Sequence, residues 1–112
     1  MEDAVTDVGP LDAAGRRLRA RRPLAVQYLQ DPEGGGQGFV AFYQASTEEG
    51  YFGPYGWGES PEQAREDLLQ ETLAAWRMYV AVPEGELPEP ARKRRRFLVT
   101  HFEVVSAPPP AD

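Results

Sequence analysis

His101 is the single histidine and Lys93 the single lysine in these 112 residues, and there is no cysteine. Acid–base or nucleophilic catalysis would therefore rest on one imidazole, and a metal would have to be held by carboxylates alone. No thiolate zinc site or disulfide can form. His101 lies in FLVTHFEVV, where strand alternation groups it with Phe97, Val99 and Glu103, as a partly exposed strand residue. The neighbouring pairs Glu48–Glu49 and Glu66–Asp67 point apart, so they read as solvated acids and not as magnesium ligands. No cofactor and no catalytic set is expected.

Two other residue classes can do recognition chemistry. Ten of the twelve basic residues fall in two runs, Arg16, Arg17, Arg19, Arg21, Arg22 and Arg92, Lys93, Arg94, Arg95, Arg96. Arginines so clustered are candidate phosphate contacts, with Arg19, Arg21, Arg22 and the whole second run the residues to test. The aromatic stretch YFGPYGW supplies Tyr51, Phe52, Tyr55 and Trp57, which could stack on bases or seat a protein. The acids around it, Glu48, Glu49 and Glu59, repel phosphate and favour the protein. From Asp31 to Glu89 twelve acids face only Arg65 and Arg77, so the central body suits a basic partner.

The elements that must position these residues follow from pattern. Residues 1–23 show no sustained periodicity and are expected to be a flexible arm carrying the first basic run. LAVQYLQ (24–30) and GFVAFYQA (38–45) alternate as two strands around a glycine-rich turn, a hairpin signal. A third strand over 51–57 contains Pro54, which places it at a sheet edge or bulge. Ser60, Pro61 and Gln63 then mark a helix start by N-cap, first-turn proline and capping box. Ala64, Leu68, Leu69, Thr72, Leu73, Trp76 and Val80 form its apolar face, with Glu62 and Glu66 on the other. A proline-rich loop (83–90), a last strand (97–105) and a disordered tail (106–112) complete the chain. If strands one to three form a meander, both basic runs meet at one edge of the domain.

The expected fold is thus α+β: a three- to four-stranded, mainly antiparallel sheet with one helix packed on one face, in the order β-β-β-α-β, over residues 24–105. That order, with Gly58, Glu59, Ser60, Glu62 and Ala64 at the corner, Leu68 and Leu73 behind it, and GFVAFYQ in the opening hairpin, resembles the HicB-like antitoxin family. The resemblance implies a small bacterial domain with a partial ribonuclease-H-like or double-stranded-RNA-binding-like shape that binds a HicA-like toxin, a small basic ribonuclease. Two features depart from the family pattern: ASTEEGYFGPYG after the second strand, and a short proline tail in place of a DNA-binding module. Capping of a toxin is then the implied role, not promoter control. Ribonuclease H chemistry needs several convergent acids, and Glu103 is the single acid inside an expected strand.

The sequence therefore predicts a non-enzymatic, cytoplasmic protein-binding module. Its binding residues are Tyr51, Phe52, Tyr55, Trp57, Glu62 and Glu66, and its partner is another protein or a second copy as a homodimer. The alternative is a nucleic-acid-binding module that uses the two basic runs. The acidic N-terminus and the lack of a long apolar run predict no membrane segment.

Overall fold

The structure, a computed structural model, describes residues 3–31, 37–48, 50 and 52–106. Five strands and three helices alternate as β1 (Asp3–Pro10), β2 (Arg16–Asp31), β3 (Gly38–Tyr43), α1 (Gln44–Glu48), β4 (Tyr55–Gly58), α2 (Pro61–Ala75), α3 (Glu89–His101) and β5 (Phe102–Ser106). The α+β class and the antiparallel sheet are as predicted. The sheet has five strands, and two long helices lie on it where one was expected.

The largest departure is at the N-terminus, where the expected arm is folded. Residues 3–10 form β1, and the first basic run is the first half of β2. Val5, Val8, Leu18 and Ala20 are buried, while Arg17 pairs with Asp7 at 2.6 Å and Arg19 with Glu103 at 2.8 Å. The arginines therefore sit on a strand face with acids opposite them, a cross-strand arrangement that stabilises the pairing. Pro23 suggests a break to a sequence reader. In fact Arg21, Arg22 and Pro23 fall between the registers, so the missing N–H costs no ladder bond and β2 passes through.

Three of the other four strands pair with β2. It pairs with β1 along one side; along the other, its first half pairs with β5 (Arg19 opposite Glu103) and its second half with β3 (Tyr28 opposite Ala41). At the edge β4 pairs with β3, Trp57 opposite Val40. No helix among the described residues is long and apolar enough to cross a membrane.

Helix α2 begins where the sequence marks it. Ser60 Oγ accepts the Gln63 N–H at 3.2 Å, and the Gln63 side chain accepts the Glu59 N–H at 3.1 Å, one residue earlier than a capping box requires. Its buried residues, Ala64, Leu68, Thr72 and Leu73, belong to the predicted apolar face. The helix ends in a π-helical turn over Trp76–Val80. Strand β4 lies directly beneath it: a Cβ on Gly56 would stand 2.1 Å from Leu68 N, and one on Gly58 2.4 Å from Ala64 N. Both glycines are required by this backbone-to-backbone contact.

The second basic run is helical: the helix takes in Glu89 and Pro90 at the end of the expected loop, and Phe97–His101, expected as the start of the last strand. Pro90 occupies the first turn of α3, and Phe97 and Leu98 are buried on successive positions, as an amphipathic helix allows. His101 is the last residue of this helix and packs on Phe97 with ring centroids 4.6 Å apart. Val99 and Thr100 gave the segment its strand-like look. The core joins Leu18, Val26, Ala41 and Tyr43 of the sheet to Leu68 and Leu73 of α2, Phe97 and Leu98 of α3, and Phe102 of β5.

Candidate functional site

The glycines that seat α2 decide where the β4 aromatics go. Gly56 and Gly58 face the helix, so Tyr55 and Trp57 point to the opposite, helix-free face of the sheet. Tyr55 is 68% exposed and Trp57 48% exposed. A Cβ built on Gly38 would lie 2.7–2.8 Å from the indole atoms Cζ2, Nε1 and Cε2, so the ring lies over that glycine on β3. Strand order extends the surface: Tyr55 lies beside Phe42 and Gln27, and Trp57 beside Val40 and Leu29, which is 59% exposed.

Around the free edge of β4, a groove of about 420 Å³ opens between that strand, α2 and α3. Phe52, Tyr55, Trp57, Met78 and Tyr79 supply its apolar surface; Asp67 and Glu71 of α2 and Arg94 of α3 supply its charges. The π-helical turn delivers Met78 and Tyr79, with Met78 62% exposed. Arg94 Nη1 donates to the Tyr79 hydroxyl at 3.1 Å, and Asp67 accepts the Trp57 main-chain N–H at 2.8 Å. The Lys93 ammonium stands 5.0 Å from the centre of the Phe52 ring, within cation–π range.

Phe52, Tyr55 and Trp57, chosen from sequence, thus share one site, while Tyr51 lies outside the described residues. Glu62 and Glu66 are exposed but do not line the groove; Glu66 borders a separate hollow with Val8, Gln63 and Leu69. Asp67 and Glu71, the acids that do line it, were not singled out by the sequence. Neither were Met78 and Tyr79, nor Leu29, Val40 and Phe42. Arg94 was chosen as a phosphate contact and lies instead in the groove wall.

The two basic runs are held by separate sets of partners. In the first, Arg16 pairs with Asp12, Arg17 with Asp7, and Arg19 and Arg21 with Glu103; Arg21 also reaches the Val99 carbonyl at 3.3 Å. In the second, Arg96 pairs with Glu84 and Lys93 with Glu89, and Arg95 donates to the Val82 and Val80 carbonyls at the end of the π-helical turn. The Arg16 and Arg96 guanidiniums hold the Asp12 and Glu84 carboxyls below the usual carboxylate range. Among the described residues no three His, Asp or Glu side chains gather as a metal site.

Comparison with protein-family models, with curated proteins and with solved structures finds no match to this chain.

Proposed function

We propose that this chain is a non-enzymatic, HicB-like protein-binding module that holds a small basic protein, of the HicA-like ribonuclease kind, at the groove beside β4. The observation that carries the reading is the exposed Tyr55–Trp57 pair next to Asp67 and Glu71. Large rings with a polar rim are the usual anchors of a protein interface. The acids there and the chain's net charge of −6 favour a cationic partner and speed its approach. The arginine runs, mostly tied to acids and carbonyls, give less support to nucleic-acid binding. A bacterial cytoplasm is the setting this reading implies.

The test is site-directed photo-crosslinking in a lysate of the native host, with benzoylphenylalanine in place of Tyr55. The expected product is one small basic protein. It should be lost on Trp57→Ser and weakened on Glu71→Lys, in variants whose circular dichroism is unchanged. A product insensitive to both substitutions, or none at all, overturns the proposal.

A further inference from the structure

The helices pack on the face of the sheet that carries Val26, Ala41, Tyr43 and Gly56. Cα positions span only 22 Å in the thinnest direction, room for a sheet and one helix layer at about 10 Å between layers. Among the described residues no helix lies on the other face. On it, two rows cross three strands: Gln27–Phe42–Tyr55 and Leu29–Val40–Trp57. Apolar side chains dominate both rows and neither contains a charge.

We infer that a second copy of this chain covers that face, making a two-fold dimer of sheets packed face to face. Charge is the first reason. Two chains of net charge −6 repel each other unless their contact avoids the acids, and these rows hold none. A partner selected for basic charge has nothing to pair with here, unlike at the groove.

Shape is the second reason. The rows are graded in size, with Tyr55 and Trp57 on β4, Phe42 and Val40 on β3, and Gln27 and Leu29 on β2. A two-fold axis along β3, lying between two such faces, sets β4 of each copy over β2 of the other. Trp57 then meets Leu29, Tyr55 meets Gln27, and Val40 and Phe42 each meet their own counterparts. Bulk falls on the lower side of the wedge everywhere, as an isologous contact requires, and aligned sheet packing allows the angle. The α2 and α3 walls of the groove lie on the far side of each sheet and remain open.

With an aromatic side chain worth roughly 150–250 Å² when wholly buried, the six side chains bury on the order of 500 Å² per copy. A total of about 1,000 Å² is near the lower limit for a specific interface. The dimer should therefore dissociate on dilution.

The cysteine-free sequence makes the geometry directly testable. Val40→Cys, next to the axis, should form a disulfide-linked dimer under mild oxidation, and an equimolar mixture of Leu29→Cys with Trp57→Cys should cross-link more than either variant alone. Glu71→Cys, on the helix side, should not. By light scattering, the mass of the unmodified chain should rise from 12.5 kDa towards twice that value between micromolar and submillimolar concentration, and Leu29→Asp should hold it at 12.5 kDa. The inference fails if the unmodified chain keeps a mass of 12.5 kDa throughout, or if Val40→Cys links no faster than Glu71→Cys. Tyr55 and Trp57 belong to both surfaces, so a second copy and the groove's partner compete for them. The groove's own test is therefore the sensitivity of partner capture to Glu71→Lys, which lies outside the dimer face, at concentrations where the chain is monomeric.

Discussion

The carboxylate of Asp67, in the second turn of α2, accepts the outward main-chain N–H of Trp57 at 2.8 Å, so the helix hydrogen-bonds to the free edge of the sheet. An edge strand is a template for further pairing unless something occupies its donors. Asp67→Ala should cost about 1 kcal/mol, the usual net value of such a bond, and should produce concentration-dependent aggregation. Asp67→Asn, whose amide oxygen can still accept, should behave like the parent. Denaturant midpoints and dynamic light scattering read both effects, and equal behaviour of the two variants would mean that the edge is guarded by something else.

Gly56→Ala tests the contact between β4 and α2. The added methyl would meet main-chain atoms, Leu68 N at 2.1 Å and Ala64 O at 2.4 Å, which cannot swing aside as a side chain can. We expect a loss of at least about 3 kcal/mol, the upper range for overpacking. Gly85→Ala, with nothing within 4 Å of the new atom, is the control and should be nearly neutral.

The Tyr43 hydroxyl and Thr72 Oγ1 lie 2.8 Å apart in the core, and Thr72 Oγ1 in turn donates to the Leu68 carbonyl at 2.7 Å. Since the threonine proton is used, Tyr43 is the donor of the first bond. Thr72→Val strands a buried hydroxyl and should cost about 1–3 kcal/mol, whereas Tyr43→Phe removes the donor itself and should cost nearer 1 kcal/mol. The double variant should lose less than the sum of the two, as a urea-unfolding cycle would show.

Tyr28 gives the fold a dependence on alkaline pH. Burial, then the bond its hydroxyl donates to Asp3 and the charge of that carboxylate, push its pKa up to about 12. The unfolded phenol titrates near 10, so the folded state favours the protonated form. Its contribution is fully present below about pH 10 and is lost as pH rises towards about 12. Burial raises Tyr43 as well, in the same direction. The decisive reading is therefore the difference between parent and Tyr28→Phe, whose stability should fall less steeply across that interval.

Much of the centre of the fold was legible in the sequence. Ser60, Pro61 and Gln63 are local signals whose partners lie within one helical turn, and the alternation around Val26 and Ala41 reports one buried face. The ends were harder to read. The alternation of Leu18 and Ala20 with arginines resembles a solvated arm until Asp7 and Glu103 are known to lie opposite. The groove was half legible for a similar reason. Glu62 and Glu66 share one helix face, Asp67 and Glu71 the face about 100° round, and only the position of β4 decides which pair meets the aromatics.

The pairing of β5 with the first half of β2 has a consequence for how the chain reaches its fold. Arg19 and Glu103 are 84 residues apart in sequence, yet they are neighbours in one ladder. Closing so long a loop has to precede its reward, so the contact order is high and folding should be slow for a domain of this size. On the ribosome, the β2 segment emerges long before its last partner has been synthesised. Leu18 and Ala20 must wait for Phe102, and a chaperone that shields apolar segments has its natural substrate in that interval.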